Sequence, residues 1–292
     1  MSWTRPGTRQ LDLDSLVDKA QHLLTFSPAA AKALQLLADD TADVERISRE
    51  ILRDQGLTAR VLKIANSPLY GFRARISTVR HAIVVIGLRQ TKSLLFMAAA
   101  SNALSTDLPG YRLEAGEVFA HALAVGTLAK QLAERSAHPN PEESMIAGLL
   151  HDIGKLALNA LVENAGREIE ELVAIDGVPL MLAERMAVGA DHTQVGQRIA
   201  ERWNLPASLA AAIRFHHEPH LDESSSPDTP VVHVANAICL AAGLGALPGM
   251  AKTAVNAECL TALRLSNDDL ARLTAAVQND RGLYMAHAQQ EG

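Results

Sequence analysis

Apolar positions recur every three to four residues along most of this chain, the spacing of amphipathic helices. In DVERISREILRD, Val44, Ile47, Ile51 and Leu52 fall on one side, and Asp43 is placed to cap the start. Gly56 is positioned to end that helix in a left-handed conformation. A second apolar segment begins at Leu57 with Val61, Leu62 and Ile64, and Asn66-Ser67-Pro68 breaks it, because proline disfavours helical geometry in the residue before it. The run Val79–Leu88 contains AIVVIGL, which in isolation reads equally as a strand. Its helical neighbours, including a run from Thr91 to Ala103, make it a buried helix.

A break at Asp107-Leu108-Pro109-Gly110 divides the chain. Beyond it, EVFAHALAVGTLAKQLAERSA reads as a long helix, and EESMIAGLLHDIGKLAL opens with a helix that ends near His151 and Asp152. Further helices are expected around 160–175 and 179–189, across DHTQVGQRIAERW, and from Pro206 to His217. The polar tract LDESSSPDTP is a loop, with helices resuming at Val231. The expected organisation is an N-terminal segment (1–19), an N-terminal helical lobe (20–110), a second helical lobe packed on it (111–240) and C-terminal helices (241–292). No internal repeat is present.

Composition supports an all-α protein. The chain has 292 residues, 48% hydrophobic but only 3% aromatic, so Leu, Ala, Val and Ile must fill its core. A net charge of −6 argues against a nucleic-acid binder held by phosphate contacts. Cys239 and Cys259 lack metal-ligand spacing and read as buried thiols of a reduced cytoplasm. No signal peptide opens the chain, and no run looks long and apolar enough to span a bilayer, so no membrane partner is expected. Arg60, Lys63, Arg73, Arg75, Arg80 and Arg89 concentrate positive charge, either as a solvated face or as a docking surface for an acidic partner.

Five histidines and one aspartate carry the candidate chemistry: His121, His151, Asp152, His192, His216 and His217. Imidazoles with a carboxylate suit borderline divalent metals such as Fe, Mn or Zn. The isolated His22, His81, His138, His220, His233 and His287 read as ordinary core or surface residues. No nucleophile elbow or phosphate-cradling glycine loop is present, and Ser67 reads as part of a helix-ending turn rather than a reactive serine.

GLLHDIGK, with His121 upstream and His192 and His216-His217 downstream, resembles the HD superfamily of metal-dependent phosphohydrolases. RDQGLTARVLKIANSPLYG followed by ISTVRHAIVVIGLRQTKSL sharpens this to the HDOD family, over roughly residues 20 to 240. The resemblance implies an all-helical bacterial signalling module, usually non-catalytic, whose partners are other signalling proteins, with a nucleotide as a further ligand class. It also implies one metal on His121, His151, Asp152 and a fourth position held here by Asn236, and a second on Asp152, His192, His216 and His217. Asn236 stands where that pattern has an aspartate, so Asp152 is the sole anionic ligand, and at most one well-occupied ion is expected. Lys155 corresponds to the lysine that related cyclic di-GMP hydrolases direct at phosphate, and the alternative reading is a solvated lysine after a helix. The Gly-Tyr-Pro signature of those hydrolases is replaced by Glu218-Pro219-His220. The expectation is therefore a non-catalytic regulatory protein, with a metal-dependent phosphohydrolase as the alternative.

Overall fold

A computed structural model describes residues 12–24, 26–37, 43–175, 177–245 and 254–291. The first helices are α1 (Leu13–Leu24), α2 (Pro28–Leu37), α3 (Val44–Leu52), α4 (Gln55–Ala65), α5 (Val79–Ile86) and α6 (Leu88–Leu104). After a 3-10 turn at Pro109–Tyr111 come α7 (Glu117–Arg135), α8 (Pro141–Leu150), α9 (Gly154–Asn164) and α10 (Gly166–Glu170). A π-helical turn at Glu171–Ile175 leads to α11 (Leu180–Val188), α12 (His192–Arg202), α13 (Ala207–Phe215), α14 (Asp228–Ala241), α15 (Ala257–Ala262) and α16 (Asn267–Glu291). The described residues contain no strand, and the only β-type pairing among them is the isolated bridge between Leu108 and Leu113.

Local chemistry explains most element ends. Asp43 caps α3 by accepting from the Glu45 N–H. Gly56 does not end α3, contrary to expectation. Asp54 accepts from the Leu57 N–H and starts α4 at Gln55, which leaves Gly56 inside its first turn. Asn66 ends α4 and then acts as a strand-like partner to Ile76, its Nδ2 donating to the Ile76 carbonyl at 2.8 Å and its Oδ1 accepting from the Ile76 N–H at 2.7 Å. AIVVIGL forms α5 and the turn after it, where Gly87 at φ 87° allows α6 to begin at once in a new direction. α14 begins at Asp228, three residues before the expected resumption at Val231.

One hydrophobic cluster runs from Val17 to Ala288, crossing the break near residue 110. α6 packs on α8, and α1 packs on α9 and α12. Ser93 on α6 donates to the buried Glu142 on α8 at 2.6 Å, and Lys130 on α7 pairs with the same carboxylate. Asp14 on α1 accepts from Arg198 on α12 at 2.7 and 2.9 Å. Among the isolated histidines, His138 faces Asp228, which also accepts from Ser144, so it joins a loop to α8 and α14. The side chains of His22 and His287 lie outside the described set.

The stretch Pro141–Asn164, comprising α8, the turn after it and α9, is by length and composition long and apolar enough to cross a membrane, which corrects the expectation that no run would be. Its most apolar 18 residues are 83% buried inside the protein, and the stretch carries His151, Asp152 and Lys155. His151 and Ile153 keep right-handed helical geometry, so α9 runs on from α8 instead of folding back on it.

Two helix crossings are close enough to exclude side chains. A Cβ on Gly148 (α8) would stand 2.8 Å from the Gly126 Cα (α7). A Cβ on Gly154 (α9) would stand 1.9 Å from the His192 carbonyl and 2.7 Å from the Gly196 nitrogen on α12. Forcing atoms between packed backbones costs about 1–3 kcal/mol or more. Gly148→Ala and Gly154→Ala should each lose more than about 2 kcal/mol in a denaturant titration. Gly166→Ala meets nothing within 4 Å and should be neutral or slightly stabilising in its helix. Equal costs at all three positions would show that the crossings are not the constraint.

Candidate metal centre

Most of the candidate ligands sit at helix ends, while His121 and Asn236 lie within α7 and α14. His151 follows the last residue of α8, Asp152 lies in the turn before α9, and Lys155 is the second residue of α9. His192 opens α12 behind the N-cap Asp191, whose side chain accepts from the Thr193 and Gln194 N–H groups while the Gln194 side chain accepts from the Asp191 N–H. His216 follows the last residue of α13, and His121 lies in the second turn of α7. The two glycine crossings bring α7 against α8 and α9 against α12, so residues 71 positions apart, from His121 to His192, surround Asp152.

The side chains form two clusters that share Asp152: His121 and His151 on one side, His192, His216 and His217 on the other. On the first side, Asp152 Oδ2 is 3.3 Å from His151 Nε2 and 3.6 Å from His121 Nε2, and the two Nε2 atoms are 3.2 Å apart. On the second, Asp152 Oδ1 is 3.4 Å from His192 Nε2 and 3.8 Å from His216 Nε2. Donors about 2.0–2.2 Å from one tetrahedral ion are ~3.3–3.6 Å apart, so these separations fit metal-ligand edges. All of these side chains are buried except that of His217, which is half-buried.

Ring orientations are held from behind. His151 Nδ1 donates to the Gly148 carbonyl at 2.7 Å and His216 Nδ1 to the Ile213 carbonyl at 2.8 Å. His192 Nδ1 donates to Glu184 Oε2 at 2.7 Å. Each bond engages the Nδ1–H and turns the Nε2 edge of the ring toward the Asp152 carboxylate. Lone pairs facing a carboxylate repel unless a cation or a proton lies between them. Asp152 Oδ1, His192 Nε2, His216 Nε2 and Asn236 Oδ1 are all buried without a hydrogen-bond partner. This donor set fits a divalent cation.

Burial pushes His121 down to about 3 and holds His216 and His217 well below the usual histidine range. For His192 burial acts in the same direction, but the neighbouring Glu184 charge outweighs it and the pKa is raised. Burial alone would raise Asp152, but His151 and Lys155 hold it well below the usual carboxylate range.

Lys155 is not a solvated lysine. It is 6% exposed, its Nζ donates to Asp152 Oδ2 at 2.6 Å, and it lies 5.7 Å from the centre of the Tyr111 ring. Asn236 is buried on α14, which packs on α7, α8 and α13. One turn before it, His233 donates through Nδ1 to the His216 carbonyl at 2.8 Å and accepts from the Asn256 N–H at 2.9 Å. The two open grooves around α12 and α13 are lined by none of the candidate histidines.

Glu184 and Tyr111 were missed from sequence. Tyr111 Oη donates to Glu184 Oε1 at 2.7 Å, and Glu184 Oε2 also accepts the His192 backbone N–H at 3.0 Å. The available signal was an acid on the apolar face of α11, three and four residues after the buried Met181 and Leu180.

The family model for the HDOD domain matches residues 23–219. The crystal structure of an HDOD domain protein with unknown function from Geobacter sulfurreducens is similar, with a TM-score of 0.77 and 25% identity over 95% of this chain and 97% of that one. A Shewanella amazonensis SB2B structure, provisionally named a phosphohydrolase, shares the fold with a TM-score of 0.71 and 23% identity, over 95% of this chain and 98% of that one. An uncharacterized protein of Treponema pallidum (strain Nichols) is 30% identical over 225 residues, which is 76% of this chain and 43% of that protein. The chain thus spans less than half the length of that curated relative.

Glu184→Ala would leave three buried donors unpaired, at about 1–3 kcal/mol for each such group. It should lower folding stability by more than about 3 kcal/mol. Tyr111→Phe, which removes one neutral bond, should cost about 1 kcal/mol. If the histidine set holds a metal, Glu184→Gln should weaken it by about 10–100-fold, because the carboxylate that orients His192 is lost. Unchanged metal affinity in a folded Glu184→Gln protein would show that Glu184 serves packing alone.

Proposed function

The chain belongs to the HDOD domain family, and from that premise we propose that it is a non-catalytic regulatory module of bacterial-type signal transduction whose buried histidine set holds a single metal ion. The observation that carries this reading is closure of the site. His121, His151, Asp152, Lys155, His192 and His216 are all buried, and only His217 reaches toward solvent. A phosphodiester must be bound beside a metal-activated water, with positive groups free to meet the developing charge. Lys155, the basic residue available for that task, is turned inward onto Asp152. The segment after His217 lacks the Gly-Tyr-Pro signature, and Asn236 brings no charge. The ion would be held by imidazoles and Asp152, would be Fe, Mn or Zn by donor type, and would brace α8, α12 and α13 against one another.

The second reading, a metal-dependent phosphohydrolase acting on a nucleotide or other phosphoester, draws on Asp152 being shared by two ligand clusters. It would require the site to open.

Signalling through this module would run through protein partners, in the cytoplasm. Both cysteines are buried and unpaired, as a reducing compartment favours. Around α5, Val84, Val85 and Leu88 are exposed beside Arg89. Arg73 and Arg75 are exposed on the preceding loop, so an acidic partner with an apolar face would suit this region. Members of the basic set are already engaged within the fold: Arg60 donates to the Ala98 carbonyl at 2.7 Å, Arg80 pairs with Glu45, and Lys63 also has a partner.

An assay with cyclic di-GMP and a generic phosphodiester, with Mn²⁺ or Fe²⁺ under reducing conditions, should give no appreciable turnover. Robust turnover abolished by Asp152→Ala would establish the phosphohydrolase reading. Partner binding that survives Asp152→Ala is the expected companion result.

A further inference from the structure

We propose that Lys155 is the resident cation of one half of the histidine site, and that the chain takes its single divalent ion in the other half, on Asp152 Oδ1, His192, His216 and His217. The proposal deepens the reading just given, since it rests on the histidine set holding a metal.

The two halves are alike in residue type but differ in how their donor atoms are used. In the first half, Lys155 Nζ is 2.6 Å from Asp152 Oδ2, a charge-assisted hydrogen bond made inside the protein. His121 Nε2 and His151 Nε2 are 3.2 Å apart, a separation that one N–H spans. Neither of those nitrogens, nor Asp152 Oδ2, is left unpartnered. In the second half, Asp152 Oδ1, His192 Nε2 and His216 Nε2 are all buried and all unpartnered. His192, His216, His217 and Asp152 each offer one ligand atom there, all within 4.8 Å of one another.

Charge separates the halves in the same direction. The ammonium of Lys155 stands on the first half and would repel a divalent ion placed at its own carboxylate oxygen. Glu184 stands behind His192 and adds negative charge to the second half through the His192 Nδ1–H bond of 2.7 Å. Asn236 supplies no anion to offset Lys155. His217 is half-buried, the one partly exposed member of the second half. Three imidazoles and one carboxylate are a complete tetrahedral set for a borderline divalent ion.

The test uses Co²⁺ as the probe, with the full chain purified without a metal-binding tag. Stoichiometry is read by titration calorimetry and geometry by the visible absorption of the bound ion. A thermal melt checks that each variant is folded. The expected results are one equivalent of Co²⁺ on the unaltered chain, a loss of more than about 100-fold in affinity for His192→Ala and for the half-buried His217→Ala, and a change below about 3-fold for His121→Ala. His217→Ala covers the case in which His192→Ala fails to fold. The Lys155→Gln/Asn236→Asp double variant should gain a second equivalent, since it vacates Asp152 Oδ2 and supplies an anion. A reversed pattern, with His121→Ala losing the ion and His217→Ala keeping it, would overturn the assignment while leaving metal binding intact. So would two equivalents on the unaltered chain, or a double variant that stays at one. No Co²⁺ binding at all would remove the metal part of the proposed function together with this inference. Hydrolytic turnover with one ion in the second half would sink the non-catalytic reading alone.

Discussion

Backbone meets backbone at two α-helix crossings beside the candidate ligands, and the site depends on both. Gly126 of α7 faces Gly148 of α8, and Gly154 of α9 faces Gly196 of α12, with no room at either crossing for a methyl group. His121 lies five residues before the first crossing and His151 three residues after it. Lys155 adjoins the second, where α9 lies against the His192 carbonyl itself. Interhelical distances set by side chains would be several ångströms longer, and the donor atoms would not meet around one carboxylate. Because packed interiors transmit small displacements instead of absorbing them, the crossings fix how the helices present these donor atoms.

Given that geometry, electrostatics decides what the site can hold. Backbone carbonyls and Glu184 take the Nδ1 protons of His151, His192 and His216. Their Nε2 edges then face inward toward a carboxylate whose pKa is itself held low. Burial keeps His121, His216 and His217 neutral, the form in which imidazole binds metals. Lys155 brings a positive charge to the same carboxylate from inside the fold. A buried carboxylate paired on one oxygen and open on the other is an asymmetric site despite its near-symmetric ligand list.

The same buried polar logic links the N-terminal helices to the rest. Glu142 on α8 accepts from Ser93 on α6 and pairs with Lys130 on α7, in the first turn of the helix that leads to His151 and Asp152. Asp14 and Arg198 tie α1 to α12, the helix opened by His192. An event on the N-terminal surface therefore has packed, hydrogen-bonded routes to the elements that position the ligands, and a bound ion would stiffen those elements in return.

Much of this was legible in the amino-acid order because its causes are local. A helix-period apolar pattern and an aspartate at Asp43 specify α3 within one or two turns, and the helical neighbours of AIVVIGL settled its type correctly. The family and the all-helical fold followed from motifs that occur in order along the chain. Gly56 misled because a stronger local signal, Asp54 three residues before Leu57, begins the next helix ahead of it. The apolar length of Pro141–Asn164 is a local property too, but its meaning as a buried core segment required the helices packed around it. Tertiary structure alone decided that Lys155 turns inward, that Glu184 and Tyr111 stand behind His192, and that the two halves of the site differ. Those outcomes depend on distances of about three ångströms between residues as far apart as Tyr111 and Glu184, and no spacing along a chain encodes such a distance before the helices have packed.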